Sequence, residues 1–294
     1  MTPRTPKLVL ILTACILTLG TTFEAKADPL HLGAAADYAV LYIGTAGGNP
    51  INMSNPQGGV SGNVGLYSGN LNNSDVTITG RVDFFEATGT TGSGPTPAGG
   101  THTSVAAVGT ARTDALAATT FWKNQGAGIN PGVSITTTTA LFSTGAITVL
   151  DFDNINLGNG ENLTLNGSAT DVFVINIYGD ITLGGGSCCH GLMVAGGLSH
   201  ENVLYNIISG KLSASGGGNS SQVFGTVLAT LGDITLSPGY ATPRLISGTK
   251  ISIVSGADVG GPTATPEPAS MVLLGIGLVG TAGAIRRRRR ANKT

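Results

Sequence analysis

Three groups of residues in this chain are of types that could do chemistry. Cys188-Cys189-His190 places two thiols beside an imidazole. Thiolates and imidazoles bind zinc, but neighbours in a strand point to opposite faces, so the two sulfurs would not converge on one tetrahedral ion. His31, His102 and His200 are the other imidazoles, and none stands at ligand spacing. No metal site is expected. An oxidising compartment leaves three alternatives for Cys188 and Cys189: a vicinal disulfide, an intermolecular bridge, or buried thiols. The second group, Asp151-Phe152-Asp153-Asn154-Ile155-Asn156 near Glu161, has the acidic look of a calcium loop, yet Ile155 stands where a ligand oxygen is needed. Asp and Asn as turn formers between strands is the simpler reading. The third group is threonine. Thr77, Thr79, Thr148, Thr164, Thr182 and Thr235 each lie among aliphatic residues in alternating segments. Facing outward from stacked strands, such threonines would form a rigid array of hydroxyls and methyls able to order water or meet a ligand. Their bland role is that threonine suits exposed strand positions.

Nucleophile and phosphate motifs are missing. No GxSxG, HExxH or P-loop occurs, and the GxGxxG of Gly275 to Gly280 lies inside an apolar run with no strand–helix unit around it. No catalytic residue and no cofactor is assigned, and the chain is expected not to be an enzyme. A carbohydrate-active enzyme stays as an alternative, because paired carboxylates meet in space rather than in sequence. Between Asp28 and Thr265 there are 6 basic and 14 acidic residues, a net charge of −8. Scattered cations on an acidic body give no footprint for nucleic acid.

The elements that must position these groups are mainly β. Val76 to Gly80, Ala146 to Leu150, Leu163 to Gly167 and Ile251 to Val254 alternate aliphatic with small polar residues, the period of strands buried on one face. Asn219 to Thr230 reads as a further strand with Val223, Gly225, Val227 and Ala229 on one side. Gly179-Asp180-Ile181-Thr182-Leu183 recurs as Gly232-Asp233-Ile234-Thr235-Leu236. Repeats cornered by glycine point to coils stacked in a solenoid, with a β-sandwich as the rival because the spacing is irregular. One segment differs. Thr103 to Asn124 carries Val105, Val108, Ala111, Ala115, Leu116, Ala118 and Trp122 at helical spacing, predicting one amphipathic helix ended by Gly126 and Gly128. Ahead of it, Gly89 to Gly100 is a Gly/Thr/Pro loop.

The ends of the chain carry addresses. Arg4 and Lys7 precede an apolar segment from Leu8, and Ala25-Lys26-Ala27 fits small-x-small cleavage, predicting a signal peptide over residues 1–27 with Ala27 and Asp28 at the cut. Leu12-Thr13-Ala14-Cys15 offers a rival lipoprotein site at Cys15. After a linker at 260–265 come Pro266-Glu267-Pro268, a 17-residue apolar run from Ala269 to Ile285, and Arg286, Arg287, Arg288, Arg289 and Arg290. A helix of that length spans about 26 Å, close to a bilayer core, and the arginines would stay cytoplasmic and stop transfer.

This tail, residues 266–294, resembles the PEP-CTERM sorting signal of Gram-negative bacteria. The resemblance implies Sec export, transient inner-membrane anchoring by a transmembrane helix at 269–285, recognition of the Pro-Glu-Pro motif by an exosortase, and release to the cell surface or extracellular matrix. The body resembles the ice-binding-protein-like family. The segments that carry this are Leu32 to Leu41, Val60 to Gly65 followed by Gly69, Asp171 to Ile175, Asn202 to Tyr205 and Phe224 to Ala229, with the helix between the early and late groups. Some late-strand patterns are shared with choice-of-anchor A proteins. Over residues 28–259 the resemblance implies an irregular β-helix with one long helix packed alongside. The export signals and the absence of a catalytic constellation point to a non-catalytic surface protein that adheres to or binds a surface ligand, an extracellular polysaccharide, through its Thr/Asn/Gly-rich faces; the resemblance implies the alternative, ice bound on an outward threonine face.

Overall fold

The structure is a computed structural model describing residues 28–54, 58–126, 132–158, 160–185, 190–215 and 221–261. The signal segment with Cys15, Ala27, Cys188, Cys189, Gly128, and the tail from Pro262 with its sorting motif, apolar run and arginines lie outside the described residues. Among the described residues no helix is long and apolar enough to cross a membrane. Asp28–Thr263 form one compact unit.

The alternation predicted from sequence builds three parallel sheets of nine, seven and eight strands. Among the described residues every strand pairing is parallel, which excludes the β-sandwich and makes the body a three-sided solenoid. Aliphatic residues of one parity fill its interior. In the seven-stranded sheet Ile155, Ile181, Leu212, Ile234, Ile251, Ile51 and Leu71 succeed one another in register, all 0–1% exposed. The repeated pentapeptides sit on this sheet, two coils apart, with Leu212–Ser215 between them.

The coils do not stack in chain order. The nine-stranded sheet runs Ile147–Phe152, Val172–Ile177, Val203–Ile207, Thr226–Ala229, Leu245–Ser247, Tyr38–Tyr42, Asn63–Leu66, Val82–Phe84 and Thr101–His102. The chain therefore starts mid-stack and winds three coils toward one end, which residues 86–100 cover through bonds such as Leu71 N–H to the Thr90 carbonyl, 3.0 Å, and Ala98 N–H to that of Ile78, 3.0 Å. It returns along the outside as helix α1 (Ala106–Gln125), restarts at the far end and winds back. The last coil zips onto the first: Leu245 pairs Val40, Ile251 pairs Ile51, and Val259 pairs Val60.

Helix α1 starts three residues later than predicted and buries Val108, Ala111, Ala115, Ala118 and Trp122, while Leu116, expected on that face, is 37% exposed. These side chains pack on the outward residues of the nine-stranded sheet, Leu41, Val174, Leu204, Leu228 and Ile246. Trp122 donates its indole N–H to the Leu30 carbonyl at 2.7 Å, and Asp114 Oδ2 accepts the Ala34 N–H at 2.8 Å. That second contact needs glycine at position 33, where φ is +51° and a Cβ would lie 2.4 Å from the same carboxylate. Leu32 to Leu41, the first segment of the resemblance, holds a 3-10 turn, Gly33–Asp37, and most of the strand Tyr38–Tyr42. Asn219 to Thr230 is likewise two strands, Ser221–Phe224 and Thr226–Ala229, in different sheets. Gly225 (φ +138°) turns the corner, and a Cβ there would strike Tyr205 and Val203 at 2.7 Å.

Candidate binding face

The seven-stranded sheet has no helix over its outer side among the described residues. Its outward positions form one uninterrupted row, Asn156, Thr182, Ser213, Thr235, Ser252, Asn52 and Asn72, each paired in register with the next. Strands lie about 4.8 Å apart, so seven residues make a line about 29 Å long. Asn72 donates to Asn52 Oδ1 at 2.7 Å, joining the last two rungs. Two residues further along, Ser215 pairs Ser237, and Val254, Ser54 and Ser74 pair in turn, giving a second row about 6.7 Å from the first. No pairing in this sheet carries a register shift. In-register side-chain ladders of this kind keep a sheet flat.

The border of this face is charged, with alternating sign. Asp180, Lys211, Asp233 and Lys250 precede four successive strands, each carbonyl accepting from the coil before: Ile155 N–H to Asp180 at 3.0 Å, Ile181 to Lys211 at 2.8 Å, Leu212 to Asp233 at 2.9 Å and Ile234 to Lys250 at 2.8 Å. Opposite charges on adjacent coils offset each other, so the border adds little net field. Thr249 donates to Asp233 Oδ1 at 2.5 Å, and the Lys211 N–H to Asp180 Oδ1 at 3.0 Å.

The six threonines proposed from sequence divide among three sheets. Only Thr182 and Thr235 stand in the outward row. Thr164 belongs to the eight-stranded sheet, between Ala140 and Met193. Thr77 and Thr79 are exposed at that sheet's other end, where Thr79 Oγ1 accepts the Gly62 N–H at 3.1 Å. Thr148 corrects the expectation of an outward residue: it is 2% exposed in the helix-covered sheet, and its Oγ1 accepts the Thr144 N–H at 3.0 Å. The residues that complete the row (Asn52, Asn72, Asn156, Ser213 and Ser252) were overlooked because only threonine was counted. Their signal was present: each follows an aliphatic residue that the register places in the interior, as in Ile51-Asn52-Met53 and Ile251-Ser252-Ile253.

The other chemical groups have local work. Asp151 accepts from Asn176 Nδ2 at 2.8 Å beneath the C-terminal turns of α1, and Glu161 Oε2 accepts the Gly158 N–H at 2.7 Å. His190 is buried and donates Nε2–H to the Gly184 carbonyl at 2.7 Å. Tyr38 donates to the buried Asp83 at 3.1 Å. Burial, and then the Asp83 charge, push its phenol well above the usual tyrosine range. Asp83 also meets Arg81 Nε at 2.6 Å and His102 Nδ1 at 3.2 Å.

The fold and this face define a β-solenoid with one sheet sealed by a helix and another left open for contact. The chain belongs to the ice-binding-like adhesive domain family, whose profile matches residues 18–252, about four-fifths of its length. The PEP-CTERM protein-sorting motif matches residues 264–290. No curated protein is similar enough to match. Three solved structures share the fold: a glycosylated ice-binding protein from an Arctic yeast (16% identity, 83% of this chain and 98% of that one, TM-score 0.54), an ice-binding protein from an Antarctic biological consortium (19%, 83% and 94%, 0.52), and an ice-binding protein domain from Shewanella frigidimarina (19%, 79% and 97%, 0.51).

Proposed function

We propose that this is an exported, non-catalytic surface protein that adheres through its open seven-stranded sheet. Residues 1–27 direct Sec export, with cleavage between Ala27 and Asp28. The body of 28–259 is joined by the 260–265 linker to the sorting tail. The apolar helix at 269–285 and the stop at Arg286 to Arg290 hold the chain in the inner membrane. An exosortase then reads Pro266-Glu267-Pro268 and delivers the body to the cell surface or matrix. The family profile and the sorting-motif match support this route.

The observation that carries the binding assignment is the row Asn156–Thr182–Ser213–Thr235–Ser252–Asn52–Asn72. Backbone pairing fixes its short side chains, so they lose little freedom on contact, and β-branched threonine is already stiff. A regular line of hydroxyls and amides matches a surface whose own hydroxyls repeat, and a matrix polysaccharide is the ligand assigned. A second reading, ice, is favoured by the four consecutive hydroxyl rungs Thr182, Ser213, Thr235 and Ser252, and three proteins of this fold are described as ice-binding. Residues 28–263 and the Thr235→Tyr variant would be assayed for retention on the producing organism's matrix polysaccharide and for inhibition of ice recrystallisation. Retention lost in the variant supports adhesion; recrystallisation inhibition lost in the variant supports ice. Wild-type protein inactive in both assays would refute the face as a binding site.

A further inference from the structure

A second surface feature lies beside the N-terminal half of α1, apart from the open sheet's outward row. Ile43, Tyr67 and Phe85 follow the ends of three neighbouring strands of the helix-covered sheet, stacked by bonds such as Tyr67 N–H to the Tyr42 carbonyl and Phe85 N–H to that of Leu66, both 2.9 Å. The Tyr67 and Phe85 rings stack with centroids 4.6 Å apart and planes 14° apart. Phe85 nevertheless stays 39% exposed. Gly109 of α1 lets the ring edge approach, since a Cβ there would lie 2.8 Å from Phe85 Cε2.

Arg112 completes the arrangement. Its guanidinium lies 4.6 Å from the Tyr67 ring centre, and its Nε is fixed by the Ile43 carbonyl at 2.8 Å. Among the described residues there are three arginines; Arg81 and Arg244 meet carboxylates at 2.6 and 2.9 Å, and Arg112 meets none. Its terminal nitrogens are left with their donors, on a body whose net charge is −8. With Thr110, Thr113 and Asp114 these residues line an open groove of about 460 Å3, within the size range of small-ligand sites.

An exposed aromatic ring gives an apolar platform for the C–H face of a sugar, and a pre-positioned guanidinium gives a two-pronged donor for a carboxylate. We propose that this groove binds an acidic sugar, a uronate residue of an extracellular polysaccharide. The sugar ring lies on the exposed part of Phe85, its carboxylate on the terminal nitrogens of Arg112, and its hydroxyls reach Thr110, Thr113 and Asp114. The site is independent of the open sheet, so either can fail without the other.

Calorimetric titration of the full chain in detergent with hexagalacturonate, and with cellohexaose as the neutral comparison, tests this. The expected result is binding of the uronate oligomer, weakened roughly tenfold or more by Arg112→Gln as a charge-assisted bond is lost. Thr110→Trp, placed at an exposed helix position, fills the groove and removes binding at an unchanged melting temperature. No binding of hexagalacturonate, equal binding of cellohexaose, binding unchanged in Arg112→Gln, or binding that survives Thr110→Trp would each overturn the assignment.

Discussion

The nine-stranded and seven-stranded sheets share their inner construction and differ in one residue of every two. Inward, both present largely apolar rows in register: Ile175, Tyr205, Val227 and Leu245 in the first, Ile181, Leu212, Ile234 and Ile251 in the second. Outward, the first presents Val174, Leu204, Leu228, Ile246 and Leu41 and is sealed by α1. The second presents Thr182, Ser213, Thr235, Ser252 and Asn52 and stays open. Both outward rows run along the same stack of coils, so the backbone does not decide which sheet becomes core. The side chains do, because a doubly apolar sheet must be covered while an alternating one can face water. Even the sealed sheet is keyed by polarity. Asn176 Nδ2 donates to the Trp122 carbonyl at 3.0 Å, and Asn206 Nδ2 to that of Thr119 at 3.2 Å and to Asn176 Oδ1 at 2.8 Å. This ladder continues Asp151 and stops where Leu228 follows Asn206 in register. At the Trp122 carbonyl, one of the last four of α1, it supplies a donor that the helix itself lacks, and at Thr119 it adds a second bond.

The contrast can be broken most sharply at the sealed sheet. Trp122→Ala removes the largest buried side chain under α1 and orphans the Leu30 carbonyl; chemical denaturation should show a loss of about 3–5 kcal/mol. Leu204→Ser gives one rung of the sealed row the chemistry of the open row. It should cost about 2–5 kcal/mol, read as a lower urea midpoint with a similar slope. Asn206→Ala cuts the polar ladder and leaves the buried Asn176 Oδ1 without its donor, for about 1–3 kcal/mol and faster hydrogen exchange in the last turns of α1. The converse change on the open sheet, Thr235→Val, should leave stability within about 0.5 kcal/mol while weakening retention on polysaccharide or ice. If Thr235→Val destabilised as much as Leu204→Ser, the open row would be core rather than surface.

Much of this was legible in the sequence because period-2 alternation is local. Leu163 to Asn166 and Ile251 to Val254 were placed as strands from a few residues each, and Ile181, Leu183, Ile234 and Leu236 are inside as expected. The helix was legible because alanine at three- and four-residue spacing leaves little else for that stretch to form. The stacking order was not. That Tyr38–Tyr42 pairs with Leu245–Ser247 depends on two segments about 200 residues apart, and no pattern in either names the other. Gly225 misled for a related reason. A glycine inside an alternating run reads as one more strand residue, and only its contacts with Tyr205 and Val203 show that the chain must turn there. The outward row was legible only in part: Thr182 and Thr235 came from the repeat, whereas the asparagines and serines needed the register to join them.

The place where the chain leaves the body has a mechanical consequence. Gly261 follows Asp258–Val259 and presses on Ser61, so close that a Cβ would overlap its carbonyl. The coil it ends is gripped on both flanks: Leu245–Ser247 between Thr226–Ala229 and Tyr38–Tyr42, Ile251–Val254 between Ile234–Ser237 and Ile51–Ser54. Under the anchoring proposed above, tension applied at residue 261 would enter the solenoid away from its fraying ends, along strands whose cross-bonds share the load together instead of parting one after another.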